Sequence, residues 1–119
     1  MNGATVIRWG ASVPGRESKG LEVFGKALEY FEGLTKKGVV QGHREYISLT
    51  GADGGFMLIE GNTKDLLGLL AEPEVLALNA QAAAIVQDFT IQVFAGGTDQ
   101  AIQELIGTYT TAVGEIGYM

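Results

Sequence analysis

Residues 39–60 read Val-Val-Gln-Gly-His-Arg-Glu-Tyr-Ile-Ser-Leu-Thr-Gly-Ala-Asp-Gly-Gly-Phe-Met-Leu-Ile-Glu. Two runs rich in β-branched and aromatic side chains, 39–50 and 55–60, flank the link Gly51-Ala52-Asp53-Gly54. Glycine and aspartate tolerate the backbone angles of tight turns, so the stretch predicts two strands joined as an antiparallel hairpin.

Upstream, residues 5–11 (Thr-Val-Ile-Arg-Trp-Gly-Ala) form a strand pattern that Pro14-Gly15 stops. Residues 17–37 then place Leu21, Phe24, Leu28, Phe31 and Thr35 on one helical face, with Lys36 and Lys37 at the negative end and Gly38 beyond it. Downstream, Thr63 is the expected N-cap of a helical stretch, 64–88, which Pro73 divides into a short and a longer piece. Val75, Asn79, Ala82 and Val86 share one stripe of the longer piece. Residues 89–95 alternate, with Ile91, Val93 and Ala95 against Thr90, Gln92 and Phe94. Thr98 then caps a last helix with apolar positions Ile102, Leu105, Ile106, Tyr109 and Val113. The order is β-α-β-β-α-β plus a terminal helix. Two β-α-β halves joined by a hairpin predict an α+β, ferredoxin-like fold: a four-stranded antiparallel sheet with both crossover helices on one face, and residues 1–119 as one domain.

Composition narrows the function classes. With 46% apolar and 18% charged residues the chain has the make-up of a folded protein. It contains no cysteine, which removes disulfides and thiolate chemistry and fits a cytoplasmic setting. A net charge of −6 without a basic cluster disfavours nucleic acid, and no apolar run reaches the roughly 18 residues of a membrane span. No signal peptide is expected from the N-terminal residues. Of the 18 glycines, Gly25, Gly68 and Gly107 fall inside helical segments, where each costs about 1 kcal/mol relative to alanine. Close approach of a helix to the sheet or to another helix is the expected compensation.

The strand faces carry the main functional expectation. Val6 and Ile7 point to opposite sides, and Trp9 joins Ile7. Phe56 and Leu58 oppose Met57 and Ile59, and Ile47 and Leu49 oppose Tyr46. Each apolar side chain removed from water contributes about 1.5–3 kcal/mol, so both faces require a cover. Either the terminal helix folds across the second face or a second copy packs on it. One helix covers four strands poorly, which favours a homodimer.

The segment Gly54-Gly55-Phe56-Met57-Leu58-Ile59-Glu60, with Glu72-Pro73 after it, resembles the hairpin and second helix of YCII-related (DGPF-type) proteins. These belong to the dimeric α/β-barrel superfamily, which shares the ferredoxin-like fold. The resemblance covers about a third of the chain and implies a dimer with a cavity between two sheets. The superfamily includes cofactor-free monooxygenases, isomerases, haem-binding enzymes and members with no known activity. The His–Asp pair proposed for catalysis in YCII-like proteins has no match, and the Gly-Pro-Phe signature is absent, so no catalytic residue is transferred.

From the residues themselves, His43 is the one histidine and shares a strand face with Glu45, a general-base pattern. Its plain alternative is a place at the solvated start of strand two. Arg44 and Tyr46 share the opposite face, and which pair faces a cavity is open. Arg8 either anchors an anionic ligand or pairs with Glu60 or Glu45. Trp9 is a ligand platform or a core residue. The Gly96-Gly97-Thr98 junction resembles an ordinary cap more than an anion site. No metal-ligand spacing, no cofactor motif and no Ser–His–Asp arrangement is visible. The leading expectation is a dimeric protein that binds a small, largely apolar molecule at the sheet, with His43 and Glu45 as catalytic candidates and Arg8, Trp9 and Tyr46 as ligand-binding ones. Cofactor-free oxygenation or isomerisation would suit such a pocket. The rival expectation is a non-catalytic assembly protein.

Overall fold

A computed structural model of the chain describes residues 1–50 and 54–118. Its elements are β1 (Asn2–Trp9), α1 (Glu17–Lys36), β2 (Gly42–Ile47), β3 (Gly55–Asn62), α2 (Thr63–Leu69), α3 (Pro73–Ile85), β4 (Thr90–Ala95) and α4 (Asp99–Glu115). The strands form one antiparallel sheet in the order β2-β3-β1-β4. β2 and β3 pair directly as the expected hairpin, and the crossovers through α1 and through α2 and α3 interleave the two halves. Of the hairpin's link, Gly51, Ala52 and Asp53 lie outside the described residues. Below them the Ser48 amide donates to the Gly54 carbonyl at 3.0 Å.

Boundaries move for identifiable reasons. β1 starts at Asn2 because Asn2 and Gly3 pair with Asn62 and Gly61 across β3, which propensity alone does not signal. It ends at Trp9, where the chain peels away and the Gly10 amide turns to the Gln87 carbonyl at 2.7 Å. β2 is shorter than its apolar run, since Val40 is buried just before the strand and Leu49 stands exposed after it. Asn62, not Thr63, caps α2, its side-chain oxygen accepting from the Lys64 amide at 3.0 Å. Thr98 caps α4 as expected, accepting from the Ala101 amide. The compensation expected for the helix-interior glycines is absent: a Cβ at Gly25, Gly68 or Gly107 would meet nothing within 4 Å.

One sheet face builds the core. Ile7 of β1 and Met57 and Ile59 of β3 are buried against Phe31 of α1, Leu66 and Leu69 of α2 and Val75 of α3. Ile59 and Leu66 are fully enclosed. The opposite face presents Val6, Phe56, Leu58, Tyr46 and Phe94. α4 does not cover it, because Ile102, Ile106 and Tyr109 of the helix and Tyr46 and Phe94 of the face are all exposed.

Candidate functional site

The helices meet the sheet without filling the space beneath them. A cavity of about 540 Å³ lies between the core face, α1 and α3. Ile7, Trp9 and Met57 form its floor, Phe24, Ala27 and Phe31 of α1 one wall, and Val75, Leu78, Asn79 and Ala82 of α3 the other. The volume lies in the range of small-molecule sites. The apolar face of α1 and the largely apolar α3 therefore aim at a chamber as well as at a packed core.

Trp9 occupies the floor near the end of β1, its ring 5.6 Å from that of Phe24 and tilted by 56°. Its position depends on Gly54, where an added Cβ would stand 2.0 Å from the indole Cδ1 and 2.5 Å from the Gly10 carbonyl oxygen. Only glycine permits that approach. Trp9 is also the one tryptophan of the chain.

The polar lining is sparse. Ser12, Ser48, Asn79 and Glu17 contribute it, and Glu17 is the one ionisable side chain among the described lining residues. Glu17 is exposed at the rim and accepts from the Gly15 amide at 3.3 Å. Asn79 differs: it sits on α3 between Val75 and Ala82, and its amide has no hydrogen-bond partner among the described residues. That amide is reachable from the cavity rather than sealed in, since no enclosed side-chain nitrogen or oxygen among the described residues lacks a partner, and it can therefore bond a polar atom of a bound molecule. Asn79 shares the Val75–Ala82 stripe already in the sequence. A polar residue in the middle of an apolar helical stripe was the available signal.

The other candidates fall elsewhere. His43 and Glu45 share the core face of β2 and touch each other as expected, but neither lines the cavity. His43 Nδ1 bonds Glu45, and Nε2 reaches Glu32 of α1 at 2.8 Å, leaving the ring only 14% exposed. It is thus neither solvated nor in the cavity but ties α1 to the edge strand. Burial is the largest single influence on its pKa and opposes the charged form, yet the bonds to Glu32 and Glu45 and their negative charges prevail, and the pKa is raised. Arg8 and Tyr46 lie on the open face, away from the cavity. Arg44, rather than Arg8, pairs with Glu60, at 2.7 Å. Tyr46 stacks on Phe56 with centroids 4.9 Å apart. Of the five residues, Trp9 alone lines the cavity. Among the described residues no cluster of His, Cys, Asp and Glu is placed to hold a metal, and no helix is long and apolar enough to cross a membrane.

No protein-family model matches the sequence, and no curated protein matches it significantly. Solved structures do match in three dimensions. A dimeric protein of unknown function and ferredoxin-like fold from Bacteroides fragilis aligns over 78% of this chain and 94% of its own, with 14% identity and a TM-score of 0.59. A dimeric ferredoxin-like protein of unknown function from a Jannaschia species aligns over 81% of this chain and all of its own, with 8% identity and a TM-score of 0.63. The fold is ferredoxin-like. SnoaB, a cofactor-independent oxygenase from Streptomyces nogalater, shares this ferredoxin-like arrangement over 82% of this chain and 94% of its own, with 15% identity and a TM-score of 0.59. At such identities the likeness is one of fold.

Proposed function

We propose that this protein is a homodimer that binds a small, uncharged, largely apolar molecule in the chamber between sheet and helices, oriented by a hydrogen bond to Asn79. The chamber carries the reading: about 540 Å³ lined by aromatic and aliphatic side chains, with an unpartnered amide in its wall. A buried anion would find no cation in the described lining, so neutral ligands are favoured. Homodimerisation through the open sheet face rests on Val6, Phe56 and Leu58, and fits the dimers among the fold's solved neighbours. The resemblance of residues 54–60 to YCII-related proteins is consistent with this assembly.

Trp9 supplies the assay, since it is the sole tryptophan and part of the floor. Titration with 2-naphthol is expected to change its fluorescence saturably, whereas 2-naphthoate, of the same shape but charged, is not. Asn79→Leu keeps the side chain's heavy-atom count and removes the amide, and is expected to weaken 2-naphthol binding about 5- to 30-fold, the worth of one hydrogen bond of about 1–2 kcal/mol. Equal response to both compounds, or none, would remove the proposal. A catalytic extension, cofactor-free oxygenation as in SnoaB, draws on the shared fold and on the same chamber. Oxygen uptake on mixing the protein with 2-naphthol tests it separately from binding.

A further inference from the structure

Helix α4 packs little of its own surface. Its 17 residues bury one side chain, that of Ala101. Ile106 is 60% exposed, Tyr109 62% and Ile116 70%, and all three lie on one side of the helix with Ile102. The chain's radius of gyration is 16.7 Å, against about 13.5 Å for a compact chain of this length. α4 therefore leaves its own sheet with an apolar stripe uncovered. That stripe, together with Tyr118, leaves on the order of 600 Å² of apolar side chain in water, the upper end for a monomer's largest patch. Tyr46 and Phe94, exposed on the two edge strands, belong to the sheet face, and arm and sheet face together offer roughly the 800 Å² that each partner buries in a stable dimer.

We infer that α4 is an arm whose Ile102–Ile106–Tyr109–Ile116 side packs on a second copy of this chain. The inference rests on the homodimer reading and adds a second contact to the sheet-face one. The arm is joined to β4 by the short Gly96-Gly97-Thr98 link and anchored by Ala101, so its direction is set by the sheet. An arm donated in each direction makes the contact twofold and closed, which limits assembly to a dimer. Glu104 and Glu115 fall on the helix side opposite the stripe, and Asp99 in the first turn is the one acidic residue on the stripe's side, at its N-terminal end.

The test uses the full-length chain. Dimer dissociation constants are measured by analytical ultracentrifugation for the wild type, for Ile106→Asp, for Tyr109→Asp and for Leu58→Glu on the sheet face. Each α4 substitution is expected to weaken the dimer at least tenfold while circular dichroism shows an unchanged fold, which is expected because both side chains are exposed in the single chain. An unchanged dissociation constant in both α4 variants, with Leu58→Glu still disruptive, overturns the arm and leaves the sheet-face dimer standing. A wild type that is monomeric throughout overturns both.

Discussion

At the scale of single residues, His43 shows how a strand pattern reveals one partner and hides another. Parity along β2 placed His43 and Glu45 on one face, and they do bond. Glu32 came from α1, and no strand pattern could reveal it, because which turn of a helix lies over which strand is a tertiary outcome. A protonated imidazole donates from both nitrogens, but a neutral one donates from only one. Deprotonation must therefore break one of the two contacts and leave a carboxylate facing a lone pair. The folded-state pKa is raised above the ordinary 6.5, so the stabilisation is complete below that pH and is lost as pH rises through the folded value. Urea midpoints measured from pH 5.5 to 8.5 for wild type and His43→Gln test this. The wild type's advantage, about 1 kcal/mol or less given the exposure of Glu32, should fall with rising pH. Parallel curves would show that the ring titrates without any coupling to folding.

At the scale of elements, glycine marks where sequence reading worked and where it failed. Gly25 and Gly54 look alike in a composition count, yet one faces open space and the other the indole of Trp9. Gly25→Ala should raise stability by about 0.5–1 kcal/mol, or some 2–4 °C in Tm, since it removes backbone freedom from the unfolded chain at no steric cost. Gly54→Ala should lower stability by about 1–3 kcal/mol and alter Trp9 emission, because the indole has to move. Calorimetry and fluorescence of the two variants check the contrast, and a neutral Gly54→Ala would undo the account of the chamber floor. The same division runs through the fold. Periodicity located all four strands and the helices, and assigned Phe56 and Leu58 against Met57 and Ile59 correctly, because face alternation is local. Strand ends at Asn2, Trp9 and Ile47 were not legible, since they depend on when a partner strand stops. Nor was the chamber: apolar stripes on α1 and α3 are compatible with contact or with a gap, and only the separation of the elements decides between them.

At the scale of the whole molecule, the sheet's thickness separates the chamber from the proposed partner. Alternation sends Ile7, Trp9 and Met57 toward the chamber and Val6, Phe56 and Leu58 toward the proposed partner, so each face can be altered alone. Leu58→Glu is the sharpest case. Arg44 stands directly across from position 58 on β2 and already pairs with Glu60, so a carboxylate at 58 shares that cation on a water-facing surface of the separated chain, which keeps the fold. Packed against a second sheet, the same carboxylate would be stripped of water at a cost of several kcal/mol. The variant should sediment as a monomer at micromolar concentration and lose the rise of Tm with protein concentration that a dimer shows. Its Trp9 titration with 2-naphthol should match the wild type's, since no chamber residue has changed. Loss of naphthol binding along with the dimer would mean that the chamber keeps its shape only when two copies are joined, and the two faces would then have to be treated as one site.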